Sequence, residues 1–139
     1  LYTAAIDNGW SPYYTLLDDS LHYVVDSETG EEWNPVNSEA EMSGQMITLR
    51  DGLARSMNTI SARLILEVGP PQVAFIAREM GVSSPLAEVP SLALGVSDVT
   101  LAEMTTAYST LANRGFRVEP ILVTPIDDPQ GNVPVHAEP

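Results

Sequence analysis

The 139-residue chain has no lysine and no cysteine, and its six Lys+Arg positions are all arginine against 19 acidic residues. Without cysteine there is no disulfide, no thiol nucleophile and no Cys-ligated metal. A formal net charge of -13, with no basic stripe, argues against nucleic acid as a partner, because phosphate recognition needs clustered positive charge. No apolar run approaches the length of a bilayer crossing, and Leu1 is neither a start methionine nor the beginning of a signal peptide.

What is present suits a globular domain. The apolar content of 44% is enough to bury a core at this length. The acids fall in small clusters at Asp18-Asp19, Glu28 to Glu32, Glu39 to Glu41 and Asp127-Asp128, which read as solvated surface.

Residues 1–8 have helical spacing, with Leu1, Ala4, Ala5 and Asn8 on one side and Asn8-Gly9 as a stop. No capping residue precedes Leu1, so the chain reads as starting inside a helix and as part of a longer polypeptide. Tyr23-Val24-Val25 and Glu31-Glu32-Trp33, joined through Gly30, read as a small hairpin, and 34–45 as polar loop. Thr48 with Asp51 opens a helix to about Arg55, although Gly52 lies inside it. A second helix spans 59–68, with Ile60, Leu64 and Val68 on one stripe, and Gly69-Pro70-Pro71 ends it. A third spans 71–80, with Val73, Ile76, Ala77 and Met80 as its buried side.

Thr100 with Glu103 forms a capping box, and Leu101, Met104, Tyr108 and Leu111 recur at the spacing of a buried helical stripe. Stretches 121–126 and 133–135 read as strands around a turn. The expected fold is mainly α with minor β hairpins.

Between the first two internal helices lies Ser56-Met57-Asn58. A Ser-x-Asn tripeptide arises by chance in about one chain in three of this length, so its bland reading is a helix cap. A bend between helices can instead present a hydroxyl and an amide to one side. Asp18, Asp19 and His22 invite a metal reading, but no cysteine, second histidine or spaced acid completes a site, and His136 lies in a tail.

The stretch Trp33-Asn34-Pro35-Val36-Asn37, then Gly44, then 47–59 around Ser56-Met57-Asn58, resembles the transpeptidase domain of class A penicillin-binding proteins near their second active-site motif. Pro90-Ser91-Leu92-Ala93-Leu94-Gly95, Val99 to Met104 and Ala112-Asn113-Arg114-Gly115 resemble the helices that follow, and the likeness is collinear from Leu1 to about Val133.

The resemblance implies a helical subdomain of the penicillin-binding protein and serine β-lactamase-like fold, set beside a central sheet. It further implies a D,D-transpeptidase that cross-links peptidoglycan stem peptides through a serine acyl-enzyme, binds β-lactams, needs no cofactor and works outside the cytoplasm, its parent anchored to the membrane by a segment not in this chain. The family's Ser-x-x-Lys and Lys-Thr-Gly motifs are missing from residues 1–139, so the isolated chain is expected to be inactive and to self-associate through uncovered apolar faces. Ser56 is the implied proton relay, and Asn58 the implied holder of the substrate's acyl side and of the family's lysine. Met57 stands where class A β-lactamases carry Asp, which favours a penicillin-binding protein. Gly52 departs from the family's more usual Ala. The rival expectation is an acidic, non-enzymatic interaction module in which Ser56 and Asn58 only cap helices.

Overall fold

A computed structural model describes residues 1–38 and 41–121. The chain order is α1 (Tyr2–Asp7), β1 (Thr15–Leu17), β2 (Tyr23–Asp26), β3 (Glu31–Trp33), β4 (Met46–Thr48), α2 (Leu49–Ala54), α3 (Asn58–Val68), α4 (Pro70–Glu79), a 3₁₀ turn (Pro90–Leu94) and α5 (Leu101–Ala112). Among the described residues the fold is mainly helical, as expected from the sequence, and carries two short antiparallel strand pairs.

The centre of the molecule is α3, because its apolar residues serve two cores at once. Ile60 and Leu64 pack with Ala5, Leu16, Ile47, Leu49 and Met57, while Ile65 packs with Ala4 and Val73 on the other side. Burying both flanks of one helix fixes its rotation more firmly than a single apolar stripe would. Gly69, at φ 91, then turns the chain through 93° into α4. Among the described residues no single helix is long and apolar enough to cross a membrane.

The hairpin of β2 and β3 pairs Tyr23 with Trp33 as the sequence pattern predicts. A second pair was not expected: β1 and β4 join Thr15 to Thr48, Leu16 to Ile47 and Leu17 to Met46. Short strands far apart in sequence carry no turn signal between them. Of the expected strands at 121–126 and 133–135, all but Ile121 lie outside the described residues.

The largest correction concerns α5. Its predicted buried stripe is exposed, with Leu101 83%, Tyr108 66%, Leu111 50% and Met104 39% accessible, and the buried side is Glu103, Thr106, Ala107 and Thr110. Polar residues can turn inward here because each finds a partner. Thr106 and Thr110 hydroxyls donate to carbonyls four residues back, and the Glu103 carboxylate gathers Ser83, Ser84 and Thr100.

Gly52 has a packing reason. A Cβ there would lie 2.6 Å from Ile60 Cγ2, so the missing side chain is what lets α2 close on α3.

Candidate active-site element

The bend between α2 and α3 is built as a Schellman motif with an unusual residue at its turn. Ser56 N–H donates to the Leu53 carbonyl (3.1 Å) and Met57 N–H to the Gly52 carbonyl (2.8 Å). The residue between must be left-handed, normally glycine, yet Ser56 holds φ 53. Serine in that region costs roughly 1–2 kcal/mol relative to an unstrained backbone, and such strain persists where the surroundings over-determine it.

Met57 returns to extended backbone (φ -80, ψ 114) and is 5% exposed in the α3 core. Its burial leaves Ser56 exposed and Asn58 half-buried at the first residue of α3. Neither side chain caps that helix: Met57 occupies the N-cap position and makes no side-chain bond. The cap reading of Ser56 and Asn58 therefore has no contact behind it.

The Asn58 amide nitrogen donates to the Val36 carbonyl at 2.8 Å, which fixes the side chain's rotamer across 22 residues of sequence. Among the described residues no donor engages its Oδ1. Ser56 and Asn58 share a cleft of about 340 Å³ with Leu1, Tyr2, Leu53 and Ser61. Tyr2 and Ser61 hydroxyls meet at 3.1 Å in its wall, and burial pushes the Tyr2 phenol up against the opposing effect of that bond. A larger cleft of about 440 Å³, lined by Asp18, Asn37, Glu41 and Arg55, also touches Ser56 but not Asn58. Ser56 thus stands on the divide between the two.

Asp18 overturns its surface assignment: it is 1% exposed. The β1–β4 pair delivers it, with Asp18 N–H on the Gln45 carbonyl and the Asp18 carbonyl accepting from Gly44 N–H, both at 2.9 Å. Its Oδ1 accepts from the Thr59 hydroxyl (2.6 Å) and Asn37 Nδ2 (2.9 Å), and its Oδ2 from the Ser43 N–H and hydroxyl (2.8 Å each). Burial works to raise the carboxyl's pKa, but the bonds from Thr59, Ser43 and Asn37 together outweigh it and hold it down to about 2. Sequence spacing could not reveal this residue, since its donors lie at 37, 43 and 59.

Asp19 does not join it. His22 is exposed and approaches Glu32 at 3.6 Å, and among the described residues no group of three or more metal-ligating side chains comes together. His136 is outside the described residues.

The bend therefore offers one exposed hydroxyl, on a strained and fixed backbone, and one oriented amide. A hydroxyl can pass a proton and an amide can hold a carbonyl or an ammonium group. Neither is a nucleophile activated by a base, and the chain has no lysine to act as one.

Residues 1–139 match, over their whole length, the family described as penicillin binding protein transpeptidase domain. Penicillin-binding protein 2D of Bacillus subtilis is 33% identical over 96% of this chain and 19% of its own length. A crystal structure of penicillin-binding protein 1A from Haemophilus influenzae superimposes with a TM-score of 0.85 at 30% identity, over 98% of this chain and 20% of that one. The PonA1 protein of Mycobacterium tuberculosis, solved in complex with penicillin V, gives 0.79 at 25% identity over 96% of this chain and 38% of that one. The chain spans 16–19% of the length of the curated relatives it matches.

Proposed function

Because this chain belongs to the penicillin-binding protein transpeptidase family, we propose that it supplies the Ser-x-Asn wall of a peptidoglycan D,D-transpeptidase, a larger enzyme that also binds β-lactams. The nucleophilic serine and its lysine base, and the Lys-Thr-Gly strand, are contributed by polypeptide outside residues 1–139, since this sequence has no lysine. The nucleophile attacks the carbonyl of the penultimate D-Ala of a stem peptide, terminal D-Ala leaves, and an amine of a neighbouring stem resolves the ester. Ser56 relays the proton between the lysine and the leaving amine. Asn58 holds the acyl side of the substrate through its amide and orients the lysine.

The observation that carries this reading is the shared cleft: Ser56 and Asn58 face the same space as Leu1 and Tyr2 at the start of α1. Work outside the cytoplasm and membrane anchoring of the parent by another segment follow from the same reading. Its interaction partners are stem peptides and β-lactams.

The test is acylation of the full-length parent by a fluorescent penicillin. The wild type labels, Ser56→Ala and Asn58→Ala label about 100-fold more slowly or worse, and residues 1–139 alone do not label. Undiminished labelling of Ser56→Ala and Asn58→Ala removes their roles, and covalent labelling of residues 1–139 alone overturns the external nucleophile. The exposed α5 stripe supports self-association of the isolated chain, which light scattering reads as a species larger than a monomer.

A further inference from the structure

We infer that Asp18 is a positioning residue for Asn58, acting through Thr59 and Asn37; this rests on the transpeptidase reading above. A carboxylate with 1% exposure is costly to keep, and an apolar residue of similar size could fill the space at less expense in desolvation. What the carboxylate does that an apolar group could not is bind two particular donors with one oxygen.

Those donors are the sequence neighbours of the two ends of a single bond. Asn58 Nδ2 donates to the Val36 carbonyl; Thr59 follows Asn58, and Asn37 follows Val36. Asp18 Oδ1 takes the Thr59 hydroxyl at 2.6 Å and the Asn37 amide at 2.9 Å. Asn37 Oδ1 closes the loop by accepting Thr59 N–H at 3.2 Å. The start of α3 and the 36–37 segment are thus clamped to a common oxygen, and the distance between the Asn58 amide and the Val36 carbonyl is set by that clamp. The other oxygen, held by Ser43, stops the carboxylate from rotating. No ion pair reaches Asp18 among the described residues, so its charge is shared only with neutral donors whose placement matters.

An amide displaced by a fraction of an ångström still occupies the cleft but no longer meets the transition state, a loss that falls on rate more than on binding. Asp18→Asn in the full-length parent is expected to slow acylation by fluorescent penicillin about 10- to 100-fold with little change in the concentration for half-maximal rate. Thr59→Val, which keeps volume and loses the hydroxyl, gives the same phenotype and serves if Asp18→Asn does not fold; Thr59→Ser recovers most of the rate.

The deciding measurement is a double-mutant cycle. If Asp18 acts through Asn58, Asp18→Asn adds little to the defect of Asn58→Ala. Fully additive losses, or a rate in Asp18→Asn and Thr59→Val equal to wild type, overturn the positioning role while leaving the transpeptidase reading intact. Should Asn58→Ala itself acylate at the wild-type rate, the role of Asn58 fails, and this proposal with it.

Discussion

The two longest helices, α3 and α5, begin in chemically similar ways and end in opposite circumstances. Each has a carboxylate holding its first turn. For α5 the carboxylate is its own Glu103, three residues from Thr100, in a reciprocal capping box that also collects Ser83 and Ser84. For α3 it is Asp18, 41 residues earlier, bound to the Thr59 hydroxyl. The faces differ as well: α3 buries Ile60, Leu64 and Ile65, whereas α5 buries Glu103, Thr106 and Thr110 and shows its large apolar residues to solvent. A helix is rotated by the total of what its faces can bond, so apolar periodicity gives the existence of a stripe but not its direction.

The sharpest way to break this contrast is truncation on the two stripes. In residues 1–139 held dilute enough to stay monomeric, Ile60→Ala should lower the unfolding free energy by about 2–5 kcal/mol, because the site is fully buried, while Leu101→Ala changes it by less than about 0.5 kcal/mol. Chemical denaturation reads both, and comparable losses would show that the α5 stripe is covered. Gly52→Ala comes next: its methyl would sit 2.6 Å from Ile60 Cγ2 and should cost about 1–3 kcal/mol in the same assay, despite alanine's better helix propensity.

Acid should then act on both anchors. Asp18 titrates at about 2 in the fold against an ordinary 3.8, so its contribution is fully present above pH about 4 and disappears as pH falls toward 2. Glu103 is also held well below the ordinary carboxylate range, chiefly by the Ser83 hydroxyl, then by Thr100 N–H and the Ser84 hydroxyl, and has the same sign. Thermal melts from pH 5 to 2 should fall steadily, with a shallower slope in Asp18→Asn. The smallest effect is a gain: Ser56→Gly should stabilise the protein by about 1 kcal/mol by relieving the left-handed turn, while full-length parent carrying it loses acylation.

What could be read from the sequence follows the distance over which each feature is encoded. The helices α1, α3 and α4, the capping box at Thr100 and the hairpin around Gly30 all declare themselves within a few residues. The bend that carries Ser56 and Asn58 was marked in the same way, by a short motif between two periodic segments, while the catalytic roles of the two residues belong to the proposal above. The β1–β4 pair stayed hidden because Leu16 finds Ile47 across an intervening hairpin, and Asp18 because adjacent Asp19 made the pair look like solvated surface. Gly52 looked like a weak point in a helix and proved to be a contact between helices.

The distance between Asp18 and Thr59 also sets an order of events during folding. A three-residue box can close as soon as one turn of α5 forms, but the Asp18 clamp must wait until a long loop has been gathered, at an entropic cost that grows by about 0.6 kcal/mol with each doubling of its length. The part of the molecule with the most exacting geometry is therefore expected to form later than the local box, together with the packing of Leu16 on Ile60 that closes a loop of similar length.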